Sequence, residues 1–184
     1  MVKLTDKKKH LRCDVAFFAM LAVLATFMIW KAPYGYAGAD EGFYLTIPYR
    51  LTQGDSLLSD EWHVSQLSAL LLYPIMLIYR MLGGNSDGII LIFRYIYIAV
   101  QVLCTMLIYF DLRGDDGEHS LGALCAAAVF MPYAPFFIMA LSYNSMGIMT
   151  LTLSGISVAT AKEKNVKIWR GGYCTHLQYS VAHI

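Results

Sequence analysis

The chain has 184 residues, a net charge of +1, 15% charged residues, 58% hydrophobic residues and a mean hydropathy of +0.52. Soluble domains carry about 25% charge, so the composition argues against a water-solvated globule and for hydrocarbon as the solvent. The near-zero net charge supplies no basic field for nucleic acid.

In chain order, Lys3, Lys7, Lys8, Lys9 and Arg12 stand against Asp6, and residues 15–30 (VAFFAMLAVLATFMIW) follow without a charge. A basic start before an apolar run is shared with signal peptides. Further apolar runs follow here, so residues 15–31 read as a first transmembrane helix. The lysines place residues 1–14 in the cytoplasm. At 1.5 Å per residue the uncharged stretch reaches only about 24 Å, so the span is expected to extend over residues 13–31.

Residues 32–65 differ in kind, with Pro33, Gly35, Gly38, Gly42, Pro48 and Gly54 interrupting any long helix. The five acids Asp40, Glu41, Asp55, Asp60 and Glu61 fall here, so a first crossing outward makes this an acidic loop on the outer face. Phe43, Tyr44, Ile47 and Leu51 lie at helical spacing, predicting a short amphipathic helix over 41–53 on the membrane surface.

Four more apolar runs occupy residues 67–82, 89–110, 121–141 and 145–161. The run at 89–110 is long enough to span. Its Arg94 is expensive in hydrocarbon and must lie near an interface or face a partner. MPYAP at 131–135 predicts a kink or an end in the next run. The expectation is an all-α polytopic bundle of about four to five transmembrane helices over 15–31 and 66–161. Five spans would leave the basic KEKNVK at 162–167 outside, against the positive-inside rule. Either 67–82 or the proline-broken run is therefore expected to fall short of crossing. Residues 162–184 have neither apolar periodicity nor a cap, and read as a tail that is truncated or out of frame.

Cys13, Cys104, Cys125 and Cys174 have no C-x-x-C spacing, which argues against a disulfide framework or a zinc site. The segment with chemistry in it is 37–74. Asp40 and Glu41 are adjacent carboxylates whose repulsion and partial desolvation need a compensating role. A general base or a divalent-cation ligand would supply one; a turn in a solvated loop is the bland alternative. Tyr44 and Tyr49 are placed to stack on a sugar ring. Arg50 is the nearest cation for a lipid phosphate, against simple interfacial anchoring. Asp60, Glu61 and His63 form a second polar cluster, as groups supporting the acidic pair from behind, metal ligands or an N-terminal cap for the helix near Ser65.

A short basic N-terminus, one helix and then D-E-x-x-Y with a surface helix resembles the start of GT-C membrane glycosyltransferases. The likeness is greatest to the protein O-mannosyltransferase and aminoarabinose-transferase branch, and covers roughly 15–161. The resemblance implies sugar transfer on the outer face from a polyprenyl-phosphate-linked donor, with Asp40 and Glu41 as catalytic acids. It implies substrate or lipid-phosphate contacts at Tyr44 and Arg50, and Asp60, Glu61 and His63 behind them. A divalent metal ion is the candidate cofactor, and membrane lipid and the donor are the expected partners. The expected location is the plasma membrane of a prokaryote. Asn144 stands where relatives commonly carry an aspartate, and relatives are several hundred residues long, so this chain would be an N-terminal portion, inactive alone. The alternatives are a non-enzymatic polytopic subunit, a transporter-like protein or an inactive fragment.

Overall fold

A computed structural model describes residues 2–35, 39–60, 66–113 and 119–163. Its helices are α1 (Val2–Lys31), α2 (Ala39–Leu51), α3 (Gln66–Met81), α4 (Ile89–Arg113), α5 (Ser120–Phe130) and α6 (Tyr143–Glu163), with a 3₁₀ turn at Pro135–Phe137. No strand occurs among the described residues, as the composition led one to expect. Two segments are long and apolar enough to cross a membrane, His10–Lys31 of α1 and Ile89–Arg113 of α4. Helix α1 begins well before the apolar run, because nothing among the basic residues breaks the helix and lysine is a good helix former.

Helix α4 is the hub. No Gly or Pro interrupts it, and its buried residues Phe93, Tyr97, Gln101, Cys104, Ile108 recur every three or four positions. Helix α1 lies antiparallel against it. Near one end, Phe17 stacks on Tyr109 with ring centroids 3.8 Å apart. Tyr109 Oη donates to Asp14 Oδ1 at 2.7 Å, and Arg113 Nη1 donates to both Asp14 oxygens at 2.9 Å. At the other end, Arg94 donates to the carbonyls of Ala32 and Gly35. Helix α4 therefore starts at the end of the bundle where α1 finishes.

Helices α2 and α3 both return to that end. Helix α3 packs on α2, with Met76 meeting Leu45 and Phe93 in a small apolar cluster. The C-terminal turn of α3 also sits near the start of α4, where the Tyr79 and Phe93 rings are 6.3 Å apart. The run at 67–82 thus serves as a partner for α2.

The proline-bearing run ends its helix where the sequence predicts, at Phe130. The break is repaired from α4. Gln101 Nε2 donates to Phe130 O at 2.6 Å and Tyr133 O at 3.3 Å, and Tyr97 Oη donates to Tyr133 O at 2.8 Å. These bonds answer the carbonyls that a continuing helix would have used. Helix α6 then opens on a reciprocal serine cap. Ser145 N–H donates to Ser142 Oγ at 3.2 Å, and Ser142 N–H donates to Ser145 Oγ at 2.8 Å. Large apolar side chains face outward all round, among them Val23 (68% exposed), Val129 (75%) and Leu151 (75%).

Candidate functional site

Helix α2 decides the fate of the acidic pair. Its buried stripe is Glu41, Leu45, Ile47 and Pro48, not the Phe43–Tyr44–Ile47–Leu51 face that hydrophobicity alone selects. Ile47 is common to both; Phe43, Tyr44 and Leu51 are only half-buried. A carboxylate rides on the buried side because α4 presents Arg94 to it. Glu41 is 2% exposed and Arg94 6%. Arg94 Nε lies 3.2 Å from both carboxylate oxygens, and Nη2 closes the second prong on Oε2. Nη1 donates to Ala32 O, and Nη2 also donates to Gly35 O at 2.9 Å. One guanidinium thus ties together the end of α1, the first turn of α2 and the start of α4. Arg94 does face a partner, as its cost in hydrocarbon demanded, but the partner is Glu41.

Asp40 and Glu41 consequently part company. Asp40 is exposed in the first turn of α2, while its neighbour is sealed in an ion pair. Tyr44, one turn on, is half-buried and meets Tyr143 of α6 edge-on, with ring centroids 6.0 Å apart. Burial, then Tyr143, then the nearby Asp40 carboxylate push the Tyr44 phenol above its usual value. Tyr49 lies under the Arg80 guanidinium, 4.9 Å from the ring centroid. Arg50 Nε donates to Asp55, forming a half-exposed surface pair, so its guanidinium is already engaged. Asp60 Oδ2 accepts from Ser56 N–H at 2.7 Å, closing a turn. Glu61 and His63 lie outside the described residues. No three His, Cys, Asp or Glu side chains converge among the described residues.

Sequence reasoning missed a cavity of about 660 Å³ at the end of the bundle where α1 finishes. One wall is a stripe of α1: Leu24, Phe27, Met28 and Lys31. The facing wall is the irregular segment from Pro132 to Phe137, and the Glu41–Arg94 pair forms part of the lining. Phe136 (φ 55°) and Phe137 (φ 61°) both adopt left-handed backbone and are 76% and 94% exposed. Such conformations cost on the order of 1–3 kcal/mol each for side-chain-bearing residues and collect at functional segments. The sequence flagged Glu41, Arg94 and the proline pair separately, and the prolines foretold irregular backbone, but nothing local showed that these residues line one cavity.

Compared with known proteins, the chain matches no family model, no curated protein and no solved structure.

Proposed function

We propose that the chain is a multi-pass membrane protein with α1, α4, α5 and α6 as its crossings, and that its acidic end faces the non-cytoplasmic side. Three observations support four crossings. Helices α2 and α3 occupy the loop between α1 and α4, whose adjoining ends are tied by Arg94. Helix α5 alone is 11 residues long and crosses with the help of the extended segment after it. That segment is irregular backbone whose Phe130 and Tyr133 carbonyls are satisfied by α4, the condition under which a membrane tolerates it. An even count returns the basic KEKNVK stretch to the same side as the basic N-terminus, in keeping with the positive-inside rule. Cysteine substitution at Arg12 and Asp40, probed with a membrane-impermeant thiol reagent, tests the orientation. With the native cysteines replaced, labelling of Asp40→Cys already in sealed cells, and of Arg12→Cys only after lysis, is expected; the reverse pattern refutes it.

Within that frame, the reading with most support is a transferase that uses a polyprenyl-phosphate-linked sugar. The observation that carries it is the splitting of the acidic pair. Glu41 anchors the first turn of α2 through Arg94, and Asp40 is thereby held, exposed, at the outer end of the bundle beside Tyr44. In the proposed step an acceptor oxygen attacks the anomeric carbon, the bond from that carbon to the phosphate oxygen breaks, and Asp40 takes the acceptor proton. The lipid phosphate leaves with the bonding electrons. Asp40→Asn in the full-length enzyme is expected to abolish transfer while membrane insertion and helix content stay intact; retained transfer removes Asp40 from the mechanism. A non-enzymatic membrane subunit is the second reading. It is favoured by an apolar groove of about 550 Å³ where α4, α5 and α6 meet, lined by Ile108, Ala126, Val129, Ile148 and Ile156.

A further inference from the structure

We infer that the cavity between α1 and the Pro132–Phe137 segment is a lateral binding site for one anionic phospholipid of the surrounding leaflet. The inference rests on the membrane reading above and not on the transfer chemistry. Leu24, Phe27, Met28 and Lys31 fall at i, i+3, i+4 and i+7, so they form one stripe along two turns of α1. The stripe is apolar for its whole length and ends in an ammonium. An amphiphile has that same order: hydrocarbon toward the bilayer centre and a charged head at the interface.

Charge decides the class of head. Arg94 also lines the cavity, but its charge is cancelled by Glu41 and its bonds run to Glu41, Ala32 and Gly35. That leaves Lys31 as the uncompensated cation among the described lining residues. One cation matches a phosphodiester, which carries a single negative charge, better than a phosphate monoester, which carries about −1.5 to −2 at pH 7. The opposite wall fits an interfacial location, since Phe136 and Phe137 are largely exposed on the left-handed backbone of a short turn whose flanking Pro135 and Ile138 are buried. Aromatic side chains are stabilised at headgroup depth, and a bound lipid would cover their cavity-facing sides.

The test is native mass spectrometry of the full chain released from mixed nanodiscs of phosphatidylglycerol and phosphatidylcholine. One phosphatidylglycerol retained per chain is expected, with a preference over phosphatidylcholine of roughly tenfold, the scale of one charge-assisted hydrogen bond. Lys31→Ala should abolish the preference, and Lys31→Arg should keep it. Leu24→Trp, which fills the apolar track but leaves Lys31, should lose the bound lipid. Equal retention of the two lipids, or an unchanged preference in Lys31→Ala, overturns the site. Farnesyl phosphate added as competitor separates the two readings. If it displaces phosphatidylglycerol at much lower concentration, the cavity belongs to an isoprenoid phosphate: the phospholipid assignment fails and the transferase reading gains. Failure of Asp40→Asn to affect transfer would sink that reading and leave this one standing.

Discussion

Removing either member of the Glu41–Arg94 pair should unlock three helices at once. With both side chains all but sealed from solvent, Glu41→Gln leaves a buried guanidinium without its counter-charge, an effect of about 3–5 kcal/mol in buried pairs. Arg94→Met is expected to be at least as damaging. It strands the carboxylate and also leaves the Ala32 and Gly35 carbonyls unpaired, at about 1–3 kcal/mol each. The double variant Glu41→Met with Arg94→Met removes the stranded charge and keeps only the carbonyl loss. It should therefore be destabilised by about 2–6 kcal/mol, from two carbonyls at about 1–3 kcal/mol each, well short of the sum of the Glu41→Met and Arg94→Met singles. The assay is reversible unfolding in dodecylmaltoside micelles titrated with SDS, followed by near-ultraviolet circular dichroism. The Asp14–Arg113 pair is an internal comparison. Its side chains are 24% and 26% exposed, and Asp14→Asn should shift the midpoint far less, on the order of 1 kcal/mol. Additive single effects at Glu41 and Arg94, or equal sensitivity of the two pairs, would refute the reasoning.

Gln101→Leu should destabilise by about 0.5–1.5 kcal/mol, read in the same titration, because the Phe130 carbonyl loses its side-chain donor beside the proline break and keeps the Tyr133 N–H at 3.1 Å. The loss is moderated because Gln101 Oε1 has no partner of its own. Gly84→Ala drives a methyl group into the Tyr79 ring. That ring is pinned by its hydroxyl's bond to Asn85 O at 2.6 Å and by Phe93, so a loss of about 1–3 kcal/mol is expected. Tyr44 should keep its proton above the usual tyrosine range, seen as late phenolate absorbance that Tyr44→Phe reduces by one tyrosine's share. Its raised value means the folded form holds the proton more tightly. The associated stability is present below pH 10 and declines as pH rises through the folded-state value.

The helices were legible because hydrophobic runs and breakers act locally. The break at Pro132 and Pro135, the uninterrupted α4 and a helix starting near Asp40 all follow from residue type and spacing. The start of α6 was read to within two residues from the run at 145–161, but its Ser142–Ser145 cap was not, because that cap gains its meaning only from reciprocal backbone bonds. The role of 67–82 was hidden for a different reason. A 16-residue apolar helix is suited equally to a short span and to packing on a neighbour, and only α2's position chooses between them. Local pattern also picked the wrong face of α2. Hydrophobicity ranks Phe43 and Leu51 above Glu41, yet an arginine 53 residues away reverses the order. The same long-range pairing explains why adjacency of Asp40 and Glu41 is a poor guide to shared chemistry: successive positions on a helix point about 100° apart.

That divergence bears directly on which functional reading survives. A two-acid site requires both carboxylates on one substrate, whereas here the Glu41 oxygens are held by three guanidinium bonds. Freeing Glu41 for a metal ion would expose a buried arginine charge, so a metal would have to compensate for the loss of the clasp as well as for its own dehydration. A single-acid mechanism at Asp40 makes no such demand. On the proposed transferase reading, Glu41→Gln and Asp40→Asn should therefore fail differently. The first should lower yield and stability, with any folded protein retaining transfer; the second should leave folding untouched and transfer lost. Stable, well-folded Glu41→Gln protein without activity would return Glu41 to the chemistry and overturn its assignment as an anchor.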